Sequence, residues 1–371
     1  MLALPVLTSP GGFFPSLGIY FLCWLFMTST ALLMLEVCLA LKGGVNIISM
    51  AGTTLGSFAK GASWLIYLFL FYSLTLAYAA GCGEIFSEFF REGISDYAGS
   101  FLFILLFAPV VYGGAHLVQR FNSWFVICMA LLYIFFIAIG IDDIKPHLLL
   151  RTNWPLALFA LPVAFTAFAY HGIIPTLAHS MDYHPANTRK AILIGSLIPF
   201  ITYIIWQCLI LGIVPYDTPN GLIHAKTAIS PLKHFTGNPY VYHIGRAFAF
   251  VAMLTSFFGV TLGLLDFLAD GLKVKKTPGG KALLCSLIFI PPLLLTLYNP
   301  GLFLIAIEYA GGFGCAILLG LLPILMAWSC RYRLNITHHL LLPGNKPYLL
   351  LLILFVLLEV ALEITLTLTR L

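Results

Sequence analysis

Ten apolar runs, each about the length of a membrane-spanning helix, constrain the fold of this chain more than any other feature. A helix needs about 20 apolar residues to cross the hydrocarbon core of a bilayer. The runs cover residues 17–41, 62–87, 100–116, 122–140, 155–179, 191–214, 245–269, 282–297, 302–328 and 348–368. Only 9% of the 371 residues are charged, against about 25% in soluble domains. The sequence therefore predicts an all-α polytopic membrane protein with a single transmembrane domain over residues 1–371.

The start of the chain and the charges of its loops predict the topology. Residues 1–10 are mostly apolar but too short to span a membrane. We expect the sequence to start at an internal methionine, so that these residues are the remnant of a truncated first helix, and the complete protein has eleven. Alternate loops on one side carry twelve of the 19 lysines and arginines, which marks that side as cytoplasmic. The C-terminus is then predicted to lie in the periplasm.

One apolar run, residues 155–179, contains residues that interrupt a helix. Gly172 and Pro175 weaken it, and Tyr170, His171 and Thr176 place polar atoms at membrane depth. The interruption can be half of a substrate site at the bilayer midplane, as in transporters with discontinuous helices. It can equally be a proline kink with a hydrogen-bonded interior histidine. A buried histidine would suit proton coupling or a hydrogen bond to a substrate.

The run 62–87 contains a stretch of small residues, Tyr78–Glu84. Small side chains let a ligand or a second helix approach the backbone closely, and both interpretations are open. Glu84 ends the stretch, and ionisable groups within a membrane are functional candidates.

The run 245–269 places Ser256, Gly259 and Gly263 on one helix face. Asp266 extends that face toward the cytoplasm. Its carboxylate can be a proton site or can pair with the lysines at positions 273–276.

The sequence contains none of the enzyme motifs GxSxG, HExxH or a Walker loop. Its eight cysteines lack CxxC spacing, and no cofactor, metal site or nucleic-acid partner is predicted. The protein is predicted not to be an enzyme, and uphill transport would draw on an ion gradient.

Five blocks that keep their order along the chain resemble the bacterial hydroxy/aromatic amino acid permeases, and the tyrosine-specific permeases most. They are TSTALLMLEV at 28–37, LAYAAGCGE at 76–84, FAYHGIIPTLAHSMD at 168–182, SFFGVTLGLLDFLAD at 256–270 and FIPPLLLTLYNPGLFLIAIEYAG at 289–311. The resemblance implies a LeuT-type inverted-repeat fold with about 11 transmembrane helices, the first truncated here. It also implies a proton-coupled symporter that imports aromatic amino acids, tyrosine first, across the bacterial inner membrane.

The resemblance further implies which residues bind the substrate and the proton. The substrate site would comprise Met1, Leu2 and Ala3; Phe168, Ala169, Tyr170, His171 and Gly172; Tyr78, Gly81 and Cys82; and Ser256, Phe257 and Thr261. The truncation would remove the glycine-rich half of the first helix, which in such proteins receives the amino and carboxylate groups of the substrate. The proton-coupling candidates are, in order, Asp266, Glu84 and His171.

Three alternatives to tyrosine import remain open at the level of sequence. The substrate can be tryptophan, or it can be serine or threonine, because selectivity depends on pocket volume. The protein can also be a channel or a membrane-embedded structural protein. The partners expected are the substrate, protons and lipid, and the oligomeric state is left open.

Overall fold

A computed structural model describes residues 3–41, 46–89, 96–225, 227–298, 310–336, 340–342 and 345–370. Every regular element in these ranges is a helix. The α-helices are α1 (Leu4–Thr8), α2 (Phe13–Leu41), α3 (Ile47–Leu55), α4 (Ser57–Phe89), α5 (Asp96–Gly113), α6 (Ala115–Gly140), α7 (Pro146–Leu149), α8 (Trp154–Ala157), α9 (Leu161–Ala167), α10 (Ile174–Ser180), α11 (Pro185–Ile213), α12 (Leu232–Phe235), α13 (Pro239–Gly271), α14 (Pro278–Tyr298), α15 (Leu322–Trp328) and α16 (Lys346–Arg370). Tighter 3₁₀ turns cover Ile141–Asp143, Leu158–Ala160, His171–Ile173 and Leu222–His224, and wider π-helix covers Ala310–Leu321 and Ser329–Arg333.

Nine helical segments in these ranges are long and apolar enough to cross a membrane. They are Phe13–Leu41, Ser57–Ser87, Ala115–Asp143, Trp154–Ser180, Pro185–Ile213, Pro239–Gly271, Pro278–Leu295, Gly312–Arg333 and Lys346–Leu368. The predicted span 100–116 corresponds to a shorter apolar helix, Ala98–Gly113. Residues 302–309 of the predicted span 302–328 lie outside the described residues. The prediction of an all-α membrane protein is confirmed.

Contacts between helices divide the chain into two units. Unit 1 contains Met1–Tyr67, Lys145–Pro231 and Gly311–Leu371, and unit 2 contains Leu68–Ile144 and Leu232–Ala310. Each unit is thus assembled from segments that are far apart in the sequence. The predicted single domain over residues 1–371 stays a prediction.

Helix α2 lies at the centre of unit 1 and is buried along most of its length. Helices α9, α10, α11 and α15 pack against it. The Phe26 ring lies 5.0 Å from the Phe165 ring of α9 and 4.9 Å from the Phe355 ring of α16. These aromatic contacts pack α2, α9 and α16 against one another. Helix α9 is the first half of the interrupted run 155–179.

A buried ion pair joins the end of α2 to the π-helical turn after α15. Arg331 donates from Nε to Glu36 Oε1 and from Nη2 to Glu36 Oε2, each over 2.6 Å. The two side chains are only 4% and 0% exposed. Two parallel hydrogen bonds satisfy both carboxylate oxygens, and this permits the charges to be buried.

Unit 2 is built on helices α6 and α13, which pack along each other. Its core is rich in phenylalanine. The Phe257 ring lies 4.9 Å from the Phe103 ring and 5.8 Å from the Phe289 ring, so α5, α13 and α14 meet at one aromatic cluster.

Helices α4 and α5 cross closely in unit 2. A Cβ placed on Gly83 would lie 2.6 Å from the Cα of Ser100, so no side chain fits there. Close helix packing, one of the two interpretations of the small residues in Tyr78–Glu84, therefore accounts for Gly83.

Candidate substrate site

The chain between α9 and α10 is interrupted, as the sequence predicts. Helix α9 ends at Ala167, residues 168–170 are not helical, and a 3₁₀ turn covers His171–Ile173 before α10 begins at Ile174. Pro175 stands in the first turn of α10, where its missing N–H costs no helical hydrogen bond. The Tyr203 hydroxyl donates to the Ala167 carbonyl over 2.9 Å. This side chain replaces a backbone partner that a continuous helix would have supplied.

The His171 ring is fully buried and held on one side only. Its Nε2 lies 2.8 Å from Thr30 Oγ1 of α2. Its Nδ1 has no hydrogen-bond partner among the described residues. A buried polar atom without a partner costs free energy, so Nδ1 is a natural place for a ligand to bind.

Tyr170 presents a second buried polar atom at the interruption. Its hydroxyl lies near Thr28 and Ser196 but has no hydrogen bond of acceptable geometry within the described ranges. Thr28 Oγ1 and Ser196 Oγ are 3.4 Å apart, and Trp24 Nε1 donates to Ser196 Oγ over 3.2 Å. Hydroxyls from α2 and α11 thus surround the non-helical residues with adaptable donors and acceptors.

The other predicted residues of the interruption divide into buried and exposed positions. Phe168 is 2% exposed, and its ring packs against Tyr203 with centroids 5.3 Å apart. Ala169 and Gly172 are exposed, and among the described residues a Cβ on Gly172 would meet only the Tyr67 hydroxyl, at 3.9 Å. Because glycine has no side chain, the exposed surface at Gly172 is backbone.

The predicted first-helix residues are described in part. Met1 and Leu2 lie outside the described residues, and Ala3 precedes the short helix α1. A polar chain anchors α1, because Gln207 Nε2 donates to Thr8 Oγ1 and the Tyr20 hydroxyl donates to Gln207 Oε1, each over 2.7 Å. This chain fixes α1 against α2 and α11 within unit 1.

The remaining predicted substrate residues belong to unit 2. Cys82 and Phe257 are fully buried in its hydrophobic core, and Tyr78 packs against that core. Thr261 Oγ1 donates to the Phe257 carbonyl over 2.6 Å. Two others lie in the same helices: Gly81 is buried in α4, and Ser256 Oγ donates to the Ala252 carbonyl of α13 over 3.0 Å. Their contact with a substrate stays a prediction.

The three proton-coupling candidates occupy different surroundings. Asp266 Oδ1 lies 2.7 Å from Lys276 Nζ, and both side chains are about half exposed. This is the lysine pairing that the sequence left open as an alternative. Glu84 is partly buried, and His171 lies at the interruption. Their roles in proton coupling stay predictions.

Sequence reasoning missed two acidic residues in α16. Glu359 and Glu363 are 0% and 5% exposed. They stand four residues apart in an apolar run, and ionisable residues inside such a run are functional candidates by default. That feature was sufficient to find them from sequence.

A solved structure with a similar fold places these elements in a known class. The crystal structure of MhsT in complex with L-phenylalanine superposes with a TM-score of 0.64 at 14% sequence identity, covering 96% of this chain and 93% of that one. Identity at this level shows the fold alone. The chain is a multi-pass helical membrane protein of the LeuT-type fold, which confirms the predicted fold.

The sequence comparisons then define the family. The model of the tryptophan/tyrosine permease family matches residues 1–362, and this chain belongs to that family. The tyrosine-specific transport system 1 of Haemophilus influenzae is 30% identical over 370 residues, covering 96% of this chain and 91% of that protein. The tryptophan-specific transport protein of Pseudomonas aeruginosa is 28% identical over 369 residues, covering 96% and 88%. The family is one of transporters and not of enzymes, as predicted.

Proposed function

We propose that this protein imports an aromatic amino acid across the bacterial inner membrane, with tyrosine as the first substrate and the proton gradient as the driving force. The observation that carries the proposal is a pair of buried polar atoms at the interruption of a membrane-spanning segment. Neither Tyr170 Oη nor His171 Nδ1 has a hydrogen-bond partner of acceptable geometry among the described residues. A polar atom without a partner in such a place favours a ligand that supplies one.

Tyrosine matches the chemistry of this interruption in two respects. Its amino and carboxylate groups need hydrogen-bonding partners of both kinds, and the exposed backbone at Gly172 can supply part of them. Its phenolic hydroxyl both donates and accepts, which suits the hydroxyls of Thr28 and Ser196 or the free Nδ1 of His171. The tyrosine-specific relative from H. influenzae supports the same substrate.

Tryptophan is the second candidate, because relatives 28% identical to this chain are named as tryptophan-specific. Its indole N–H donates a hydrogen bond but accepts none. A site that prefers tryptophan would therefore use only acceptor atoms for the ring.

Uptake into proteoliposomes tests both proposals. Purified protein is reconstituted, an inward proton gradient is imposed, and radiolabelled tyrosine is supplied with unlabelled tyrosine, tryptophan, phenylalanine or serine as competitors. We expect saturable accumulation that a protonophore abolishes and that tyrosine suppresses most strongly.

Three outcomes would contradict the proposal in distinguishable ways. Competition by tryptophan alone would reassign the substrate. Accumulation that persists with the protonophore would exclude proton coupling. Linear flux without competition by any amino acid would favour a channel.

A further inference from the structure

Helix α16 carries a buried stripe that ends in two carboxyl groups. The buried positions are Leu349, Leu352, Val356, Glu359 and Glu363, at alternating spacings of three and four residues. This spacing defines one helix face. The helix exposes leucines on its other faces. The two acidic residues thus occupy interior positions at which an apolar side chain is expected.

Glu359 is completely enclosed within unit 1. It is 0% exposed, and neither carboxyl oxygen has a hydrogen-bond partner among the described residues. Among the described residues, the titratable groups close enough to sense its charge are the buried thiols of Cys23 in α2 and Cys315 in the π-helical segment, and Glu363 on its own helix. Of the other elements that pack against α16, helix α9, the turn Leu158–Ala160 and helix α15 contain no titratable residue. None of these neighbours supplies a positive charge.

Glu363 follows one helical turn later and packs on bare backbone. Its carboxyl group fills the place where a side chain on Gly312 would stand. The absence of a side chain at this position of the π-helical segment therefore makes room for an acidic group in the protein interior. Two carboxyl groups at this spacing lie on one face and repel each other when both are ionised.

The cost of charge at this position decides the protonation state. An ionised carboxylate buried without a partner costs several kcal/mol, and such a group takes up a proton instead. A second carboxyl group four residues away adds repulsion and not compensation. The arrangement therefore favours a protonated Glu359 and opposes a second negative charge on the pair.

We propose that Glu359 and Glu363 form a proton-binding site inside unit 1, in which Glu359 holds a proton in the resting protein and releases it during transport. On release, the O–H bond of the carboxylic acid breaks, the carboxylate keeps the electron pair, and the proton passes to water. The release step depends on the proposed function, whereas proton binding at rest does not.

Infrared spectroscopy tests the protonation without any transport assay. The purified full chain is measured in lipid at neutral pH, and the carbonyl band of protonated carboxylic acid is compared in wild type and in the isosteric variant Glu359→Gln. We expect the spectrum of the variant to lack the carbonyl band of one protonated carboxyl group. The exposed Asp270 provides the control, because Asp270→Asn should remove only a carboxylate band. A spectrum in which Glu359→Gln also removes only a carboxylate band would overturn the proposal.

Transport measurements test the release. Glu359→Gln should retain exchange of labelled for unlabelled substrate. Its proton-driven accumulation of substrate should be at least about tenfold lower than in wild type, and a tenfold change corresponds to about 1.4 kcal/mol. Wild-type levels of accumulation in this variant would overturn the coupling role. A sodium requirement that Glu359→Gln abolishes would assign the site to a metal cation instead. Absence of both exchange and accumulation in the wild type would contradict the proposed function, and the infrared result would still decide the protonation.

The variant Glu359→Leu tests whether a folding defect explains a loss of accumulation. Leucine continues the apolar stripe of α16, so the variant should unfold at the same or a higher temperature than wild type. It should nevertheless lose proton-driven accumulation. A large loss of thermal stability would show that the carboxyl group supports the packing of unit 1 and would overturn its assignment as a proton site.

Discussion

His171 has two ring nitrogens, and within the described residues one of them makes a hydrogen bond. The hydrogen bond of 2.8 Å between Nε2 and Thr30 fixes the ring, while Nδ1 has no partner among the described residues. Thr30 Oγ1 also lies within reach of the Phe26 and Met27 carbonyls, at 3.3 and 3.2 Å. The ring is therefore anchored to the backbone of α2 and offers its free nitrogen in a defined direction.

Replacing this ring tests its role in binding. We expect His171→Ala to lower tyrosine uptake about tenfold or more, because a buried polar group of the ligand left without this partner costs about 1–3 kcal/mol. Membrane abundance, measured by immunoblot, should change much less. The control is His179→Ala, which removes an exposed histidine from α10. An equal loss of uptake and abundance would assign His171 to packing.

Gly172 provides a second test of the substrate site, because there is space for a methyl group at this position. In the described part of the chain, the nearest atom to a Cβ on Gly172 is the Tyr67 hydroxyl at 3.9 Å, and a Cβ on Gly195 in α11 would meet nothing within 4 Å. Both alanine variants should therefore be as abundant as wild type. If the substrate contacts the backbone at 172, we expect only Gly172→Ala to raise the apparent KM of uptake, by about fivefold or more. Identical kinetics in the two variants would remove Gly172 from the substrate site.

Sequence predicts the interruption because its cause is local. Gly172 and Pro175 weaken any helix that contains them, whatever its neighbours. The surroundings of Phe168 and Asp266 depend on other elements instead. Phe168 packs against Tyr203, and Asp266 pairs with Lys276. Such partners come from packing, so a single sequence could offer alternatives for Asp266 but could not choose between them.

At the scale of elements, glycines set how closely helices pack. Gly83 of α4 contacts Ser100 of α5 so tightly that a Cβ on Gly83 would lie 2.6 Å from the Cα of Ser100. A Cβ on Gly259 of α13, by contrast, would meet no atom of the described residues within 4 Å. We expect Gly83→Ala to lower the free energy of unfolding by about 1–3 kcal/mol through overpacking. Gly259→Ala should leave it unchanged or raise it slightly. Denaturant titration in detergent micelles measures both, and equal stability of the two variants would contradict the close crossing.

The ion pair between Glu36 and Arg331 joins two elements whose paired residues are 295 positions apart in the sequence. Glu36→Gln would leave the Arg331 charge buried without its partner. We expect a loss of about 3–5 kcal/mol in the free energy of unfolding. The exposed pair of Asp266 and Lys276 gives the comparison, since Asp266→Asn should cost about 0–1 kcal/mol. Similar losses in the two variants, measured by the same titration, would show that burial does not strengthen the first pair.

The sequence predicts where the helices of this chain lie better than it predicts which face of each helix is buried. In a membrane, lipid-facing and protein-facing side chains are both apolar, so the run 348–368 does not reveal which side of α16 is buried. The burial of Glu359 and Glu363 identifies that side, and the sequence contained this information in its two acidic residues. The site residues in α4 and α13 are a different case, because the assignment of Cys82 and Phe257 came from resemblance and their packing in the core of unit 2 came only with the structure.

At the scale of the whole molecule, loop charge predicts orientation. The excess of lysine and arginine on one side of the predicted spans places the C-terminus in the periplasm. A C-terminal fusion to alkaline phosphatase should therefore be active in bacterial cells, and a fusion to a fluorescent protein that folds only in the cytoplasm should be dark. Fluorescence without phosphatase activity would reverse the predicted topology.

The two carboxyl groups of α16 also bear on how the protein is made. This helix leaves the ribosome after α2, α9 and α15, the helices that form its binding surface. An acidic residue near the centre of an isolated helix opposes membrane insertion by about 2.5–3.5 kcal/mol on the scale measured for aspartate. Burial of Glu359 and Glu363 against helices already in the bilayer avoids contact between these residues and lipid. Stable insertion of α16 is thereby linked to correct assembly of the earlier helices, and a chain that misassembles them would present a poorly inserted helix to the proteases of the membrane.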